Sequence, residues 1–535
     1  MSLIPWILLG LICLEHFIFI PALIKKSGVA PAWHGYVPVL NALAILKMIE
    51  RPWYWLIFLF LVPGINLLML TIMHVELGIV FGKRSTKEQW LMGALPWIGL
   101  VKLSTGDEKY VGPRSWSRTK KGVFREWSEA LLWATVVASA FRIFTFEPFT
   151  IPTGSMEGSM LVGDYLFVNK LSYGPKIPQT PFTLPFVHNA LPGSLTPSYT
   201  SWFSLPYMRF PSLRNVERYD PVVFSFPPGD SVFVDPNLVG HDYYGLLRRE
   251  GIRAAGGDIA KFSENPELYL SQVRKRAEKR PGLAARPIDK KENYVKRCIG
   301  LPGDSLTIID RQVHINGKAI DNPVHLQYEY KVLFSNQMKF ANTMKHLGLT
   351  NVDVNSKQRT NQGFSTLINL TKSEVVKLEE SNLALSIEIM STINRKGTLQ
   401  MFPNTYTEEF NEWTPDDLGP VYIPKKGRVI ELDSRNLDMY RRVITAFEGH
   451  QLKENADGTI LIDGEIVTSY TFNQDYFWMM GDNRHNSADS RMWGFVPENH
   501  IVGCASFTWF SKQNKEQHGE SKIRWNRMFK TVEGI

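Results

Sequence analysis

The chain has 535 residues, a net charge of +8 and a composition of 44% hydrophobic and 21% charged residues. This length predicts several domains and a large core. The basic residues concentrate beside long apolar runs, and no helix-turn-helix, zinc-finger or RNA-binding pattern is present, so a nucleic-acid partner is not expected. Three cysteines and scattered histidines without a Cys/His cluster argue against a metal site, and we expect no cofactor.

The chain before residue 147 predicts membrane helices. The apolar runs are residues 3–23, 52–81, 90–101 and 130–146. Positive charge follows the first run rather than preceding it, which favours an uncleaved anchor over a signal peptide. The second run exceeds the ~20 residues that a span needs, although Pro63-Gly64 interrupts it, and the third is too short to span comfortably. The number of spans in this region stays open.

Residues 130–146 are predicted to anchor everything that follows. A basic stretch, residues 109–125, precedes this run and should lie on the cytoplasmic side. Arg142, near the far end of the run, could reach the lipid headgroups. The rest of the chain would then be extracytoplasmic. The alternative is that residues 130–146 form a buried helix of a soluble domain.

From residue 148 the pattern becomes short and β-rich. Residues 165–170, 221–226 and 305–309 read as strands. Two tight hairpins are predicted, at Asn316-Gly317 within residues 313–320 and at Asp463-Gly464 within residues 460–467. We therefore expect coiled antiparallel sheets.

Three inserts interrupt the β pattern. Residues 175–215 are rich in proline and aromatic residues, and this loop could rest on lipid or pack on the sheet. Residues 240–291 read as charged helices, either a solvated face or a surface for lipid headgroups. Residues 325–425 mix helix and strand, with an amphipathic helix predicted at 367–383, and could form a second lobe.

Two stretches carry nucleophilic chemistry. Ser155 follows a Pro-Thr-Gly turn directly after the predicted anchor, and Lys296 lies in a strand-like run that ends at a Gly-Leu-Pro-Gly-Asp turn. A serine hydroxyl needs a base, and the chain has no Gly-x-Ser-x-Gly elbow that would indicate a Ser-His-Asp triad. A lysine can serve as the base if burial lowers its pKa. An isolated lysine in a strand is more commonly a surface residue.

Four blocks in order resemble bacterial type I signal peptidase (leader peptidase, peptidase family S26), a Ser-Lys enzyme that removes signal peptides from exported proteins. The blocks are residues 152–156 (PTGSM), 163–170 (Gly-Asp and a short strand ending in Lys), 296–304 (Lys-Arg, then Gly-Leu-Pro-Gly-Asp) and 481–494 (GDNRHNSADSRMWG). The resemblance covers the β-rich scaffold. It leaves out residues 1–110 and 325–425. Residues 1–110 resemble, more weakly, a membrane module fused to signal peptidases of the Bacteroidetes type.

The resemblance implies roles for individual residues. Ser155 would be the nucleophile and Lys296 the general base. Ser487 and Asp482 match positions that hold the lysine amine. Thr153 would donate its hydroxyl to the oxyanion hole together with the backbone N–H of Ser155.

Further residues match supporting positions of the family. Asp489 and Arg491 would form an ion pair that braces the site. Ile151 and Met156 would line the pocket for the small residue before the cleaved bond, consistent with an Ala-x-Ala preference.

One block departs from the family pattern. The family usually has proline two residues after Ser-Met, whereas Glu157-Gly158 stand here and are followed by Ser159. Ser159 is therefore a rival nucleophile, although the Pro-Thr context favours Ser155. Glycine in place of proline is expected to loosen the turn.

The predicted fold is a set of N-terminal transmembrane helices followed by a mainly-β catalytic domain of the signal-peptidase and LexA type, with an α+β insertion lobe. The predicted parts are residues 1–110 (membrane module), 111–147 (basic stretch and anchor), 148–324 and 426–535 (catalytic β domain) and 325–425 (insertion lobe). The resemblance implies a multi-pass protein of the bacterial inner membrane with a periplasmic catalytic domain. Its partners would be signal peptides, the lipid bilayer and the secretion translocon.

Two other functions compete with a processing peptidase. A repressor-type autoprotease also uses Ser-Lys chemistry, but such proteins are soluble and cleave themselves. A non-catalytic membrane scaffold could retain the fold, although such a protein would be expected to have lost Ser155 or Lys296.

Overall fold

The structure is a computed structural model. It describes residues 14–62, 65–113, 123–184, 187, 191, 196–200, 204–227, 231–233, 243–258, 261–262, 265–278, 283–361, 363–392, 401–404, 408–455, 458–513 and 521–532. The chain forms two compact units, one of residues 1–144 with 177–208 and one of residues 145–176 with 209–535. Outside the described residues lie Pro63-Gly64 and residues 1–13, which include Cys13 and the first part of the apolar run 3–23.

The first unit is helical. Its helices are α1 (Ile20–Ser27), α2 (Pro38–Met48), α3 (Trp55–Leu61), α4 (Ile65–Val80), α5 (Thr86–Ala94), α6 (Pro96–Thr105) and α7 (Val123–Phe144). A π-helical turn, Glu15–Phe19, precedes α1. Proline stands at the first position of α2 and of α6. A backbone N–H at this position would have no acceptor within the helix, so its absence in proline costs nothing. Apolar faces of these helices share one core that includes Leu23, Met69 and Leu100.

Within the described residues, no helix combines the length and the apolar character needed to cross a membrane. The spans predicted for residues 52–81 and 130–146 are therefore not confirmed. Residues 52–81 form the separate helices α3 and α4, and residues 90–101 are divided between α5 and α6. Residues 130–146 belong mostly to α7, which contains Glu126, Glu129 and Arg142 in its 22 residues. The predicted N-terminal run 3–23 is only partly described.

The Pro/aromatic loop divides between the two units. Residues 177–208 group with the helices, and Asn66 of α4 donates from Nδ2 to the carbonyl of Pro181 at 2.9 Å. Thr180 and Thr183 of this segment are buried. This part of the loop therefore packs on apolar helices, whereas the sequence suggested either lipid or the sheet as its support.

The second unit is mainly β. Its large sheet has the order β1 (Phe146–Thr150), β2 (Asp164–Asn169), β22 (Ile501–Gln513), β3 (Pro221–Ser225), β6 (Asn293–Gly300), β20 (Tyr476–Met480) and β21 (Val496–Pro497), with β23 (Lys522–Ile523) and β24 (Lys530–Thr531) beside β22. All its pairings are antiparallel. Irregularities in the β2–β22 register coil the sheet, because a β-bulge increases local twist. The predicted curled antiparallel sheet is confirmed.

Smaller sheets extend this unit. Their strands are β4 (Ser231–Phe233), β5 (Leu283–Ala285), β7 (Ser305–Ile309), β8 (Gln312–Ile315), β9 (Lys318–Ala319), β14 (Leu418–Tyr422), β15 (Val429–Glu431), β16 (Leu452–Glu454), β17 (Ile460–Ile462), β18 (Glu465–Ile466) and β19 (Ser469–Thr471). Both predicted hairpins form, and Asn316, Gly317, Asp463 and Gly464 have positive φ as a type I′ turn requires. The accompanying helices are α8 (Tyr243–Ala254), α9 (Pro266–Glu278), α12 (Glu408–Asn411), α13 (Ser434–Arg442) and α14 (Ser490–Trp493).

Residues 327–389 form a separate α+β lobe, which we call the insertion lobe. Its elements follow the order β10 (Gln327–Phe334), α10 (Gln337–Leu347), β11 (Val354–Thr360), β12 (Gly363–Thr371), α11 (Lys372–Glu380) and β13 (Ala384–Ile389). The strands are arranged β11-β12-β10-β13, which is a split β-α-β topology. Val332, Ile368 and Leu378 lie in its core.

The helix predicted at residues 367–383 is wrong in its first part. Residues up to Thr371 belong to β12, and only Lys372–Glu380 is helical. Thr371 ends the strand and caps the helix, because its hydroxyl accepts from the backbone N–H of Glu374 while the Glu374 carboxylate accepts from Thr371. Alternating apolar residues Ile368 and Leu370 pack in the lobe core as strand residues.

Cys298 and Cys504 are both buried and are not joined by a disulfide. Their positions in the sequence alone could not show whether they pair. The two cysteines lie on β6 and β22, which are separated in the sheet by β3.

Candidate active site

Ser155 lies on a turn between β1 and β2, residues 151–160, which we call the serine turn. The backbone of Ile151 closes the turn, since its N–H donates to Asp164 and its carbonyl accepts from Gly163, both at 2.9 Å. Gly154–Met156 forms one turn of 3₁₀-helix. Ser155 is half-buried at this position.

Lys296 lies in the middle of β6, between β3 and β20. It stands opposite Val222 of β3, and only 3% of its surface is exposed. A hydrogen bond joins Nζ of Lys296 to Oγ of Ser155. The fold therefore brings together two residues that are far apart in sequence and that the sequence analysis names as nucleophile and base.

Burial lowers the pKa of Lys296 to about 8, because the charged ammonium is poorly solvated there. The negative charges of Asp489 and Asp482 oppose this decrease, and Arg491 adds to it. A large fraction of the amine is consequently neutral near pH 8. A neutral amine is what a general base must provide.

The ion pair expected between Asp489 and Arg491 is present and fully buried. Arg491 donates from Nε to Oδ1 of Asp489 at 2.9 Å and from a terminal nitrogen to Oδ2 at 2.7 Å. The backbone N–H of Gly481 also donates to Oδ2 at 3.0 Å. Burial would raise the pKa of Asp489, but the Arg491 guanidinium holds it below its usual value. The pair fixes the loop of residues 481–491 from within.

Asp482 is placed differently from the sequence expectation that it holds the lysine amine. Its carboxylate accepts three hydrogen bonds from Arg297: from Nε at 2.8 Å to Oδ1 and 3.1 Å to Oδ2, and from a terminal nitrogen at 2.6 Å to Oδ2. It also accepts one from the hydroxyl of Ser159 at 2.6 Å. Asp482 acts on Lys296 through its charge, which raises the lysine pKa.

The rival nucleophile Ser159 is fully buried and is held by Asp482 and Arg297. Its hydroxyl donates its proton to a carboxylate. This geometry favours Ser155 as the reactive serine.

Ser487 and Thr153 occupy opposite environments. Ser487 is buried, and its hydroxyl lies against Gly481, where an added methyl group would come within 2.2 Å of Oγ. Thr153 is exposed and has an extended backbone immediately before the turn of Ser155. The structure thus places Thr153 at the protein surface, two residues before Ser155.

Ile151 and Met156, the predicted pocket residues, share an apolar cluster beneath the serine turn. The cluster includes Met160, Leu166, Val168 and Val223. Ile151 is 5% exposed and Met156 is 1% exposed. Both side chains are thus buried within this cluster, and their role in a substrate pocket stays a prediction.

Sequence reasoning missed the contribution of Asn483. Its backbone N–H donates to the carbonyl of Ser155 at 3.1 Å, and its Nδ2 donates to the carbonyl of Gly154 at 3.1 Å. Asn483 therefore ties the 481–491 loop to the serine turn. The position of Asn483 inside the Gly-Asp-Asn-Arg block could have suggested a role in the site. The sequence does not show, however, that its partners are the backbone carbonyls of Gly154 and Ser155.

Sequence reasoning also misread Gly158. Its φ is +94°, which proline cannot adopt, and an added methyl group would come within 3.0 Å of His325. Glycine is therefore required by this backbone and by the nearby chain. The expected loosening of the turn does not follow from it.

The family model of signal peptidase, peptidase S26, matches residues 124–366 and 429–510, more than half of the chain. The chain belongs to the signal peptidase family, peptidase S26. It is similar to signal peptidase I of Helicobacter pylori (strain J99), with 25% identity over 73% of this chain and 87% of that protein. It is also similar to signal peptidase I of Haemophilus influenzae, with 24% identity over 76% of this chain and 75% of that protein.

The helical unit has a separate match. Residues 33–113 match a family of unknown function, DUF5684. The resemblance of residues 1–110 to a Bacteroidetes-type membrane module is not confirmed by this match.

Proposed function

We propose that this member of the signal peptidase family cleaves signal peptides by a Ser155–Lys296 dyad. The observation that carries the proposal is the hydrogen bond between Ser155 and Lys296, whose amine is buried and has a lowered pKa. The signal peptidase I relatives from other bacteria support the substrate class. The chain is thus a serine endopeptidase that needs neither histidine nor a metal in this mechanism.

In the proposed first step, Oγ of Ser155 attacks the scissile carbonyl and its proton passes to the neutral Nζ of Lys296. The ammonium then donates that proton to the leaving amine, which releases the mature protein and leaves an acyl-enzyme. The neutral amine next takes a proton from water, and the hydroxide attacks the ester to release the signal peptide. The lysine returns the proton to Oγ of Ser155.

The oxyanion formed in each step needs hydrogen-bond donors. We propose the backbone N–H of Ser155 and the hydroxyl of Thr153, which is exposed next to the turn. One such donor contributes about 3 kcal/mol to transition-state stability. The apolar cluster around Ile151 and Met156 would accept small side chains, in agreement with an Ala-x-Ala preference.

Supporting residues hold the dyad in place. The Asp489–Arg491 pair fixes the 481–491 loop, and Asn483 of that loop holds the backbone of Ser155. Ser487 packs against Gly481 of the same loop, and the charge of Asp482 raises the pKa of Lys296.

The test uses the detergent-solubilised full chain and a fluorogenic peptide whose leader ends in Ala-x-Ala. Ser155→Ala and Lys296→Ala should each abolish cleavage, and Lys296→Met should do the same because it keeps the side-chain volume without a base. Ser159→Ala should retain measurable cleavage. Activity that survives Ser155→Ala but is lost in Ser159→Ala would move the nucleophile, and an inactive folded wild type would favour the scaffold.

A bilayer location is also part of the proposal. It is supported by large exposed apolar side chains on the helical unit, including Trp53, Trp90 and Leu131, which are 67%, 72% and 71% exposed. Extraction of bacterial membranes with alkaline carbonate tests it. Retention in the membrane pellet is expected, whereas full release would contradict this location.

A further inference from the structure

The insertion lobe contacts the serine turn directly. Val352, in the 3₁₀ turn Asn351–Asp353 of the lobe, lies so close to Gly154 that a methyl group added there would come within 3.1 Å of its Cγ1. His325, two residues before the lobe begins, lies equally close to Gly158. The lobe thus contacts the residue before Ser155, and the segment that leads into the lobe contacts a residue three positions after it.

A second contact joins the lobe to the 481–491 loop, which itself holds the serine turn. The backbone N–H of Gln327 donates to the carbonyl of Asp482 at 2.9 Å, and the next residue, Asn483, donates to the carbonyl of Ser155. Gln327 and Asn483 form a β-bridge. The serine turn is therefore held between the lobe and a loop to which the lobe is itself bonded.

Two carboxyl groups are buried beside this contact: Glu157, whose Oε2 would lie 3.5 Å from a methyl group added at Gly154, and Asp353, the residue after Val352. Glu157 of the serine turn is 5% exposed and Asp353 of the lobe is 6% exposed. Glu157 accepts a hydrogen bond from the backbone N–H of Val162 at 3.2 Å. Asp353 accepts from the backbone N–H of Thr350 at 2.7 Å and from its hydroxyl at 3.1 Å. Neither carboxylate forms an ion pair with a base across this contact in the described part of the chain.

Resting on the proposed function, we propose that Val352 and Asp353 of the insertion lobe are positioning residues for the nucleophile, which act on Ser155 through Gly154 and Glu157. Val352 limits the space into which Gly154 could move. Asp353 directly follows Val352, and its negative charge disfavours ionisation of Glu157. The contact between the lobe and the serine turn is therefore most stable while Glu157 carries a proton.

The surrounding charges set when the proton is lost. The pKa of Glu157 is raised to about 8, chiefly by burial and also by the charges of Asp353 and Asp164, while the hydrogen bond from Val162 and the charge of Arg524 oppose the increase. Burial also raises the pKa of Asp353 to about 6, with Glu374 adding to the increase and the Thr350 hydrogen bonds opposing it. Both groups are therefore ionised above pH 8, and their repulsion pushes the lobe away from the serine turn.

This arrangement predicts an alkaline limb in the rate profile. The rate should rise with pH as Lys296 becomes neutral and should fall again above about pH 8 as Glu157 ionises. The wild type would then have a narrow maximum near pH 8, because the two groups titrate in the same range.

The experiment measures kcat and KM of the detergent-solubilised full chain between pH 6 and 10 with the Ala-x-Ala peptide. Glu157→Gln and Asp353→Asn should each remove the alkaline limb and keep the acid limb. Val352→Ala should lower kcat about tenfold with KM within about twofold, because a small displacement of a nucleophile is costly. Val376→Ala, at a 45% exposed position on α11, is the control and should match the wild type.

Hydrogen exchange of residues 154–158 provides a readout that does not depend on cleavage. The quantity compared is the protection of these amides relative to their intrinsic exchange rate at each pH. Protection should decrease above pH 8 in the wild type, stay high in Glu157→Gln and be reduced at every pH in Val352→Ala. An alkaline limb that persists in both carboxamide variants, or Val352→Ala with unchanged kcat and exchange, would overturn the proposal. A wild type that does not cleave but shows the predicted exchange would refute the proposed function alone.

Discussion

At the scale of single residues, burial is what makes Lys296 usable as a base. A lysine with its ordinary pKa would be almost entirely protonated near neutral pH. Its position between two strands of a large sheet removes water from the amine, which no feature of the local sequence reveals. The sequence indicated Lys296 as the base only because residues 296–304 resemble a block of the signal peptidase family.

The pH dependence of cleavage tests this burial. Since the pKa of Lys296 is lowered to about 8, the rate should fall about tenfold for each pH unit below 7, where the neutral fraction decreases in proportion. A rate that stays constant from pH 6 to 8, or one that falls only from the ordinary lysine range near 10, would contradict the assignment. The measurement is best made in the Glu157→Gln variant, which is expected to lack the alkaline limb and so to show the titration of Lys296 alone.

Asp489→Asn should cost both stability and activity. It leaves the buried guanidinium of Arg491 without its charge partner, and breaking a buried ion pair typically costs about 3–5 kcal/mol. We expect a large decrease in melting temperature and loss of cleavage.

The exposed pair of Arg441 and Glu454 is the matched control. Its atoms are 2.9 Å apart, but both side chains are more than 40% exposed, so Glu454→Gln should change stability by less than about 1 kcal/mol. If Asp489→Asn and Glu454→Gln changed the free energy of unfolding equally, the buried pair of Asp489 and Arg491 would not stabilise the site.

At the scale of elements, turns whose chemistry is local were predicted well. Both Asn/Asp-Gly hairpins form because their residues adopt positive φ without strain. The helix predicted at 367–383 was wrong at its start because a strand partner, β10, extends along Leu367 and its neighbours. Sheet pairing of this kind depends on distant residues and overrides a local helical pattern.

Gly158 offers a test of a turn that depends on its tertiary neighbour. Gly158 and Gly464 have similar φ, +94° and +90°, but of these two only Gly158 has another chain segment, at His325, close enough to touch an added methyl group. Alanine at either position incurs backbone strain of about 1 kcal/mol. Gly158→Ala should cost more stability than Gly464→Ala and should lower kcat.

Thermal unfolding and steady-state kinetics measure both effects. If the two alanine variants behaved alike, the contact between the serine turn and His325 would have no energetic consequence.

At the scale of the whole molecule, buried carboxyl groups couple stability to pH. The pKa of Glu157 is raised from 4.5 to about 8, so the folded chain holds a proton that the unfolded chain has lost between these values. The free energy of unfolding should therefore decrease as pH rises from about 4.5 to 8 and lose this dependence above 8. A shift of this size corresponds to a few kcal/mol, at about 1.4 kcal/mol per pH unit.

Scanning calorimetry of the wild type and Glu157→Gln at pH 5 and pH 8 measures this coupling. Glutamine cannot titrate, so the variant should lose less melting temperature between pH 5 and 8 than the wild type. Identical pH dependence in the two proteins would show that Glu157 does not hold a proton in the folded state.

The sequence by itself determined the family, the order of the four blocks, the mainly-β character and the hairpin turns. These depend on residue identity and on neighbours along the chain. The tertiary structure alone decided the partners of Asp482, the absence of a disulfide between Cys298 and Cys504, and the contact of the insertion lobe with the serine turn. Such features require burial and proximity between distant segments, which arise only when the sheet and the lobe are assembled.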